Sequence, residues 1–174
     1  MNKYLFGLDL SLKSPGIAIY DLEEHKFVHV SHHDTTLMKP EIGRDLNSLK
    51  LLSIYNTLYD LKDMYPPRFI ATEAPFIAQG RGGGLKGASA TERVYMVHGV
   101  SRIVFADKPQ EYYAPSTVKA NIFHGHAKKY QIQAIIIEQF PYIEKMLCTY
   151  GLTEKKLTKK LVDMSEDESD AIAV

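Results

Sequence analysis

Cysteine is almost absent from this chain of 174 residues, and no long apolar run occurs in it. The single cysteine, Cys148, excludes an internal disulfide and a cysteine-rich zinc site. The apolar runs are too short to span a membrane, and the opening residues, MNKYLFGLDL, lack the long apolar segment and the cleavage site of a secretory signal. These absences predict a cytoplasmic location and no membrane partner. The length fits a single domain over residues 1–174.

Net charge is also absent, because 21 basic side chains balance 21 acidic ones, and this argues against nucleic-acid binding through bulk charge. The charges are nevertheless unevenly placed. Eight lysines and three glutamates lie between residues 119 and 160, whereas residues 163–170 contain five acidic side chains and no basic one. This arrangement is typical of a protein that holds a polyanion beside a metal ion. An ordinary solvated helix face followed by an acidic helix start is the alternative.

The chain opens with an apolar run that ends in an acid. Residues 4–9 (YLFGLD) have the length and composition of a strand, and after a loop at 10–16 the chain returns as a second apolar run at 17–20. An Asp that ends so apolar a run needs a partner, since a buried carboxylate alone is costly. The partner of Asp9 is either the backbone of the loop, in an Asx turn, or a metal ion held by further carboxylates.

The pattern of an apolar run followed by an acid recurs later in the chain. After a third strand at 26–31 and a helix at 44–64, the strand at 68–72 (RFIAT) leads directly into Glu73. If the first and fourth strands are parallel neighbours joined by a right-handed crossover, Asp9 and Glu73 emerge at the same edge of the sheet. The two carboxylates are then candidates for one site.

A glycine-rich stretch follows Glu73. Residues 78–87 (AQGRGGGLKG) contain five glycines, which predicts a loop, and Arg81 and Lys86 lie within it. Next to a catalytic acid, such a loop can close over a phosphate backbone, although the spacing of a P-loop is absent. A plain flexible connection is the alternative.

The middle of the chain alternates between helices and one strand. The apolar spacing predicts a helix at 89–106, a strand at 111–113, a helix opened by Pro115 with Ser116 as its N-cap, and a further helix through 137. Lysines flank the break between the last two helices, at Lys119, Lys128 and Lys129. Such a pair of helices can bind backbone phosphates through lysine side chains and helix amides.

The last residues contain the second group of acids. Ser165 and Glu168 fit a capping box, which predicts a helix from there to residue 174. Asp167 and Asp170, three apart, then share one face of this helix. Either they complement the helix dipole, or they join Asp9 and Glu73 around hard cations. Oxygen-only ligands favour Mg²⁺ or Mn²⁺, and two such ions roughly 3.5–4 Å apart are typical of phosphodiester hydrolysis.

Four segments, in this order, resemble the RuvC family of Holliday-junction resolvases: GLDLSLKSPGIAI at 7–19, FIATEAPF at 69–76, YAPSTVKANIFHGHAKK at 113–129 and DESDAIAV at 167–174. The resemblance implies a ribonuclease H-like α/β fold, with a mixed five-stranded sheet of strand order 3-2-1-4-5 between helices. It also implies a homodimer that resolves four-way or otherwise branched DNA by paired nicking. The site residues that it implies are the metal ligands Asp9, Glu73, Asp167 and Asp170, the phosphate contacts Lys119 and Lys129, and an aromatic wedge at Phe76.

Other functions remain open from the residues alone. The four acids also suit a ribonuclease H-like nuclease that acts on RNA or RNA/DNA hybrids, because the acids do not select the polymer. A non-catalytic protein that binds junctions is a further hypothesis, in which the acids only cap turns and helices. An actin-like ATPase begins with a similar strand and loop, but the chain is too short for its two domains.

Overall fold

The structure is a computed structural model that describes residues 2–75, 85–145, 147–150 and 166–174, without the side chains of residues 85–90, 129, 130, 144, 145, 147–150 and 166–169. The strands are β1 (Tyr4–Asp9), β2 (Gly16–Asp21), β3 (Lys26–His33), β4 (Pro67–Glu73), β5 (Gln110–Tyr113) and β6 (Leu147–Tyr150). The helices are α1 (Leu46–Met64), α2 (Leu85–Val104), α3 (Pro115–Ile122), α4 (Lys129–Gln139) and α5 (Glu166–Ala173), with a 3-10 turn at Pro141–Lys145.

The strands form one mixed sheet in the order β5-β4-β1-β2-β3-β6. β2 is antiparallel to both of its neighbours, β1 and β3, while β4 lies parallel to β1, and β5 parallel to β4. The predicted order of the first five strands, 3-2-1-4-5, is therefore confirmed. The sequence analysis did not predict β6, which pairs in parallel with the outer edge of β3.

The hydrophobic core has two parts, one on each face of the sheet, because successive side chains of a strand point to opposite faces. Phe6 and Leu8 of β1 are fully buried in a cluster with α1 and α2. On the other face, Ala18 of β2 and Ala171 of α5 belong to a second cluster with α4. Gly7 and Asp9 alternate with Phe6 and Leu8, so they face the side of the sheet that α5 covers.

Two predicted helix starts were wrong. The loop was predicted to run to Gly87 and the helix to begin at Ser89, but α2 already begins at Leu85. Ser116 is not an N-cap: the cap of α3 is Ala114, and Pro115 is the first helical residue. Proline suits that position because its fixed φ is helical and the missing N–H would have no partner in the first turn. Among the described residues, no helix is long and apolar enough to cross a membrane.

Candidate active site

Asp9 and Glu73 lie side by side at the carboxyl ends of the adjacent strands β1 and β4. β1 and β4 are parallel, and their register pairs Leu8 with Thr72, so the next residue of each strand is the acid. Both acids are half-buried. Because neighbouring residues in register share a face of the sheet, the two carboxylates lie on the side that α5 covers. The prediction that the first and fourth strands are parallel neighbours is confirmed.

Asp170 reaches this face from α5, which packs across β1 and β2. Gly7 makes the close packing possible, because a Cβ added there would overlap the carbonyl oxygen of Ala171. In register with Gly7 lie Ala18 of β2 and Ala71 of β4, both small. Asp170 precedes Ala171 in the helix and is only 8% exposed. Its carboxylate is therefore directed toward the protein, on the face where Asp9 and Glu73 end their strands.

Lys119 lines the same cavity as Glu73. This cavity of about 500 Å³ is bounded by Glu73 at the end of β4, by the start of α3 with Lys119, and by Gly125. A lysine beside an acid in an open cavity places a cation where a phosphate group would approach the carboxylates. Lys128 lies apart from this cavity. It is exposed at the N-cap of α4, and its backbone N–H donates to Gln131 Oε1 over 2.8 Å.

Several predicted site residues lie outside the described part of the structure. These are Phe76 and Arg81, together with the side chains of Lys86, Lys129 and Asp167. Among the described side chains, no group of three or more His, Cys, Asp or Glu residues has the arrangement of a metal site. The described members of the predicted ligand set are thus the strand-end pair Asp9 and Glu73, and the buried Asp170.

The sequence analysis missed a basic cavity near the end of β1. It has a volume of about 300 Å³ and is lined by Ser11, Leu12, Lys13, Asn47, Lys50 and Arg93. Its three cations come from the β1–β2 loop, from α1 and from α2. They are separated by up to 80 positions in the sequence, so no local pattern could group them; only Lys13, four residues after Asp9, offered a signal.

Comparison with known proteins identifies sequence relatives and structural neighbours of the chain. No protein-family profile matches the chain. Two proteins named crossover junction endodeoxyribonuclease RuvC are similar to it, one from Bifidobacterium longum strain DJO10A and one from Ruegeria pomeroyi strain DSS-3. The first is 26% identical over 133 residues, which cover 76% of this chain and 64% of the relative. The second is 28% identical over 144 residues, which cover 79% of this chain and 78% of the relative.

The chain is thus similar in sequence to RuvC proteins over 76–79% of its length. It spans about two thirds of the length of its Bifidobacterium relatives, 64%. Solved structures agree on its fold. Thermus thermophilus RuvC in complex with a Holliday junction substrate has a TM-score of 0.69 at 17% identity, covering 99% of this chain and 90% of that one. The yeast mitochondrial Holliday junction resolvase Ydc2 has a TM-score of 0.56 at 13% identity, and the match covers 99% of this chain and 76% of that one. The predicted ribonuclease H-like fold is thereby confirmed.

Proposed function

We propose that this protein is a metal-dependent endonuclease that resolves four-way DNA junctions by paired nicking. The observation that supports this most is the placement of acids from distant parts of the chain on one face of the sheet: Asp9 and Glu73 end adjacent parallel strands, and Asp170 is buried on the helix that covers the same face. The names of the RuvC relatives and the junction-bound Thermus neighbour support the choice of substrate.

The proposed cation site comprises Asp9, Glu73, Asp167 and Asp170. Oxygen ligands of this kind suit Mg²⁺ or Mn²⁺. The described acids Asp9, Glu73 and Asp170 lie on one face of the sheet, although the three are not grouped as a metal site in this structure. Two ions per site are proposed. When bound, such ions supply an activated water and neutralise charge on the scissile phosphate. The carboxylates hold the site in position because rigid elements, two central strands and a packed helix, present them.

The basic residues are proposed to position the DNA. Lys119 shares the cavity of Glu73 and would pair with a phosphate oxygen next to the acids. Lys128, exposed at the start of α4, would contact the backbone further away. Arg81, Lys86 and Lys129 are proposed as additional phosphate contacts, and Phe76 as a side chain that stacks on bases at the junction centre. None of these contacts reads a base sequence directly, which leaves cleavage preference to other residues.

A homodimer is part of the proposal, because two symmetric nicks need two sites. The outer face of α2 supports it. Tyr95, Met96 and Ile103 lie at spacings of one and seven along the helix, and all three are exposed, Ile103 by 69%. Exposed apolar side chains on one helix face are typical of an interface, and a second copy of this chain is the proposed occupant.

The function is tested by cleavage of three substrates in one buffer with Mg²⁺ or Mn²⁺: a mobile four-way junction, a flap and an RNA/DNA hybrid. The proposal predicts paired nicks in the junction, and none without the ion. Cleavage of the hybrid alone would assign the chain to the RNA-directed nucleases. Junction binding that is indifferent to the ion, with no cleavage of any substrate, would make the protein a structural junction binder.

A further inference from the structure

We propose that the basic cavity of Ser11, Leu12, Lys13, Asn47, Lys50 and Arg93 is a second binding site for a backbone phosphate of the DNA substrate. This inference rests on the proposed function. It adds a site on the opposite side of Asp9 from Lys119. The ligand that it assigns is a phosphodiester group of nucleic acid, held by charge and hydrogen bonds and not by base contacts.

The cavity lies at the edge of the sheet where the acids are. Ser11 and Lys13 follow Asp9 in the loop that leaves β1, and Asn47 and Lys50 lie in the first turns of α1. α1 ends at Met64, just before β4 begins at the end of the sheet opposite the acids. The first turns of α1 therefore lie at the same end of the sheet as Asp9. The α1–α2 layer covers the face of the sheet opposite α5. A strand of DNA that passes Asp9 can therefore reach Lys119 on one side and this cavity on the other.

The chemistry of the lining selects an anion. Three of its side chains are cations and none is an acid, while Ser11 and Asn47 add a hydroxyl and an amide donor. Within the described residues, Lys13 and Lys50 form no salt bridge, whereas Lys3, Lys26, Lys62 and Lys108 each pair with a carboxylate. Of the acids near these residues in sequence, Glu92 is adjacent to Arg93 and exposed, Asp9 lies two positions before Ser11, and Asp45 is engaged as the N-cap of α1, where it accepts from Ser48 N–H at 2.8 Å.

The loop that presents Lys13 is held in place before any ligand arrives. Buried Thr35 donates its hydroxyl to the carbonyl oxygen of Leu12 over 2.6 Å, and its backbone N–H to that of Lys13 over 2.9 Å. The N–H of Ser14 donates to Ser11 Oγ over 3.0 Å. Binding to such a loop costs little ordering entropy. A preorganised cationic cavity of about 300 Å³ suits a phosphate group better than an extended peptide.

The test is the salt dependence of junction binding in the presence of EDTA, which prevents cleavage. The full chain is compared with Lys13→Ala, Lys50→Ala and the double variant. The matched control is the pair Lys26→Ala and Lys108→Ala, which removes the same charge at the opposite edge of the sheet. Each phosphate contact contributes about 0.9 to the slope of log K against log salt concentration. Loss of one lysine should therefore lower the slope by about one, and the affinity in 0.1 M salt about eightfold.

The outcomes separate the two proposals. If the double variant loses about two units of slope and the control pair does not, the cavity binds phosphate. If the double variant binds like the unchanged chain, or no worse than the control pair, the second site is disproved while the proposed function stands. If the unchanged chain does not prefer a four-way junction over a linear duplex, the proposed function itself is wrong. Thermal melting of every variant, with Lys50→Arg as the version expected to retain binding, separates lost contact from lost fold.

Discussion

The carbonyl oxygen of Ala171 lies over Gly7 with no room for a side chain between them. This contact determines how closely α5 packs against β1. It therefore also determines the position of Asp170 relative to Asp9. Gly7→Ala should force α5 away from the sheet and cost about 1–3 kcal/mol of unfolding free energy, because a backbone atom cannot move aside as a flexible side chain does. Denaturant unfolding measures the loss.

The matched control for this prediction is Gly99→Ala. Within the described part of one chain, nothing lies within 4 Å of a Cβ added at Gly99. Because Gly99 shares the outer face of α2 with Met96 and Ile103, both glycine variants are compared in the Ile103→Glu background, which lacks the proposed interface. Alanine favours a helix over glycine by up to about 1 kcal/mol, so stability should stay constant or rise. Equal losses from both variants would mean that the contact between Gly7 and Ala171 does not determine the packing of α5.

Stability should fall as the pH drops from 7 to 4.5. Burial lowers the pKa of His29 to about 4 in the folded chain, from 6.5, and burial together with the charge of nearby Arg102 lowers the pKa of His98 to about 4. Between these values the unfolded chain binds more protons, so acid favours unfolding across this window. The thermal midpoint should decrease by several degrees, and His98→Gln should make its pH dependence shallower. A midpoint that is constant over this range would contradict the prediction.

The ion pair between Asp21 and Lys3 should make the stability of the folded chain depend on pH in a more acidic range than the histidines do. Lys3 Nζ lies 2.8 Å from the Asp21 carboxylate, and this contact lowers the pKa of Asp21 below its ordinary value of 3.8. The stabilisation from this carboxylate is present above that value and is lost as the pH falls through the lowered pKa. Its loss is therefore distinct from the effect of the histidines above pH 4.

Lys119→Ala should reduce junction cleavage on the order of a hundredfold, since Lys119 lines the same cavity as Glu73, where the proposed site would bind the scissile phosphate. Lys128→Ala is the comparison, because Lys128 is exposed and outside that cavity. It should weaken binding and lower its salt dependence while the rate at saturating enzyme stays close to that of the unchanged chain. Single-turnover kinetics distinguish the two, and equal rates in both variants would remove Lys119 from the site.

Replacing Ile103 with glutamate should shift the protein toward the monomer, since 69% of this side chain is exposed on the outer face of α2. Leu52→Glu serves as the control: it introduces the same charge at an exposed apolar position of α1, 53% exposed. Sedimentation velocity measures the change. A dimer unaffected by Ile103→Glu, or disrupted equally by both variants, would locate the interface elsewhere.

The sequence predicted those features that depend on local patterns. The apolar runs that end at Asp9 and Glu73 indicated both strands and their terminal acids within a few residues, whereas the order of the first five strands was implied by the resemblance to the RuvC family. Features that depend on contacts between distant segments could not be predicted from local sequence patterns. The fit of Gly7 under Ala171 and the basic cavity arise only when separate elements pack. β6, four residues long, is too short to show a period.

The most direct test of the proposed site is cleavage of a mobile four-way junction by Asp9→Asn in Mg²⁺, with junction binding measured in parallel. Asp60→Asn, an exposed acid of α1, is the matched control. We predict that Asp9→Asn binds the junction as the unchanged chain does but does not cut it, because its neutral amide no longer completes the carboxylate set, while Asp60→Asn cuts at the normal rate. Nicking by Asp9→Asn at the rate of the unchanged chain would contradict the account.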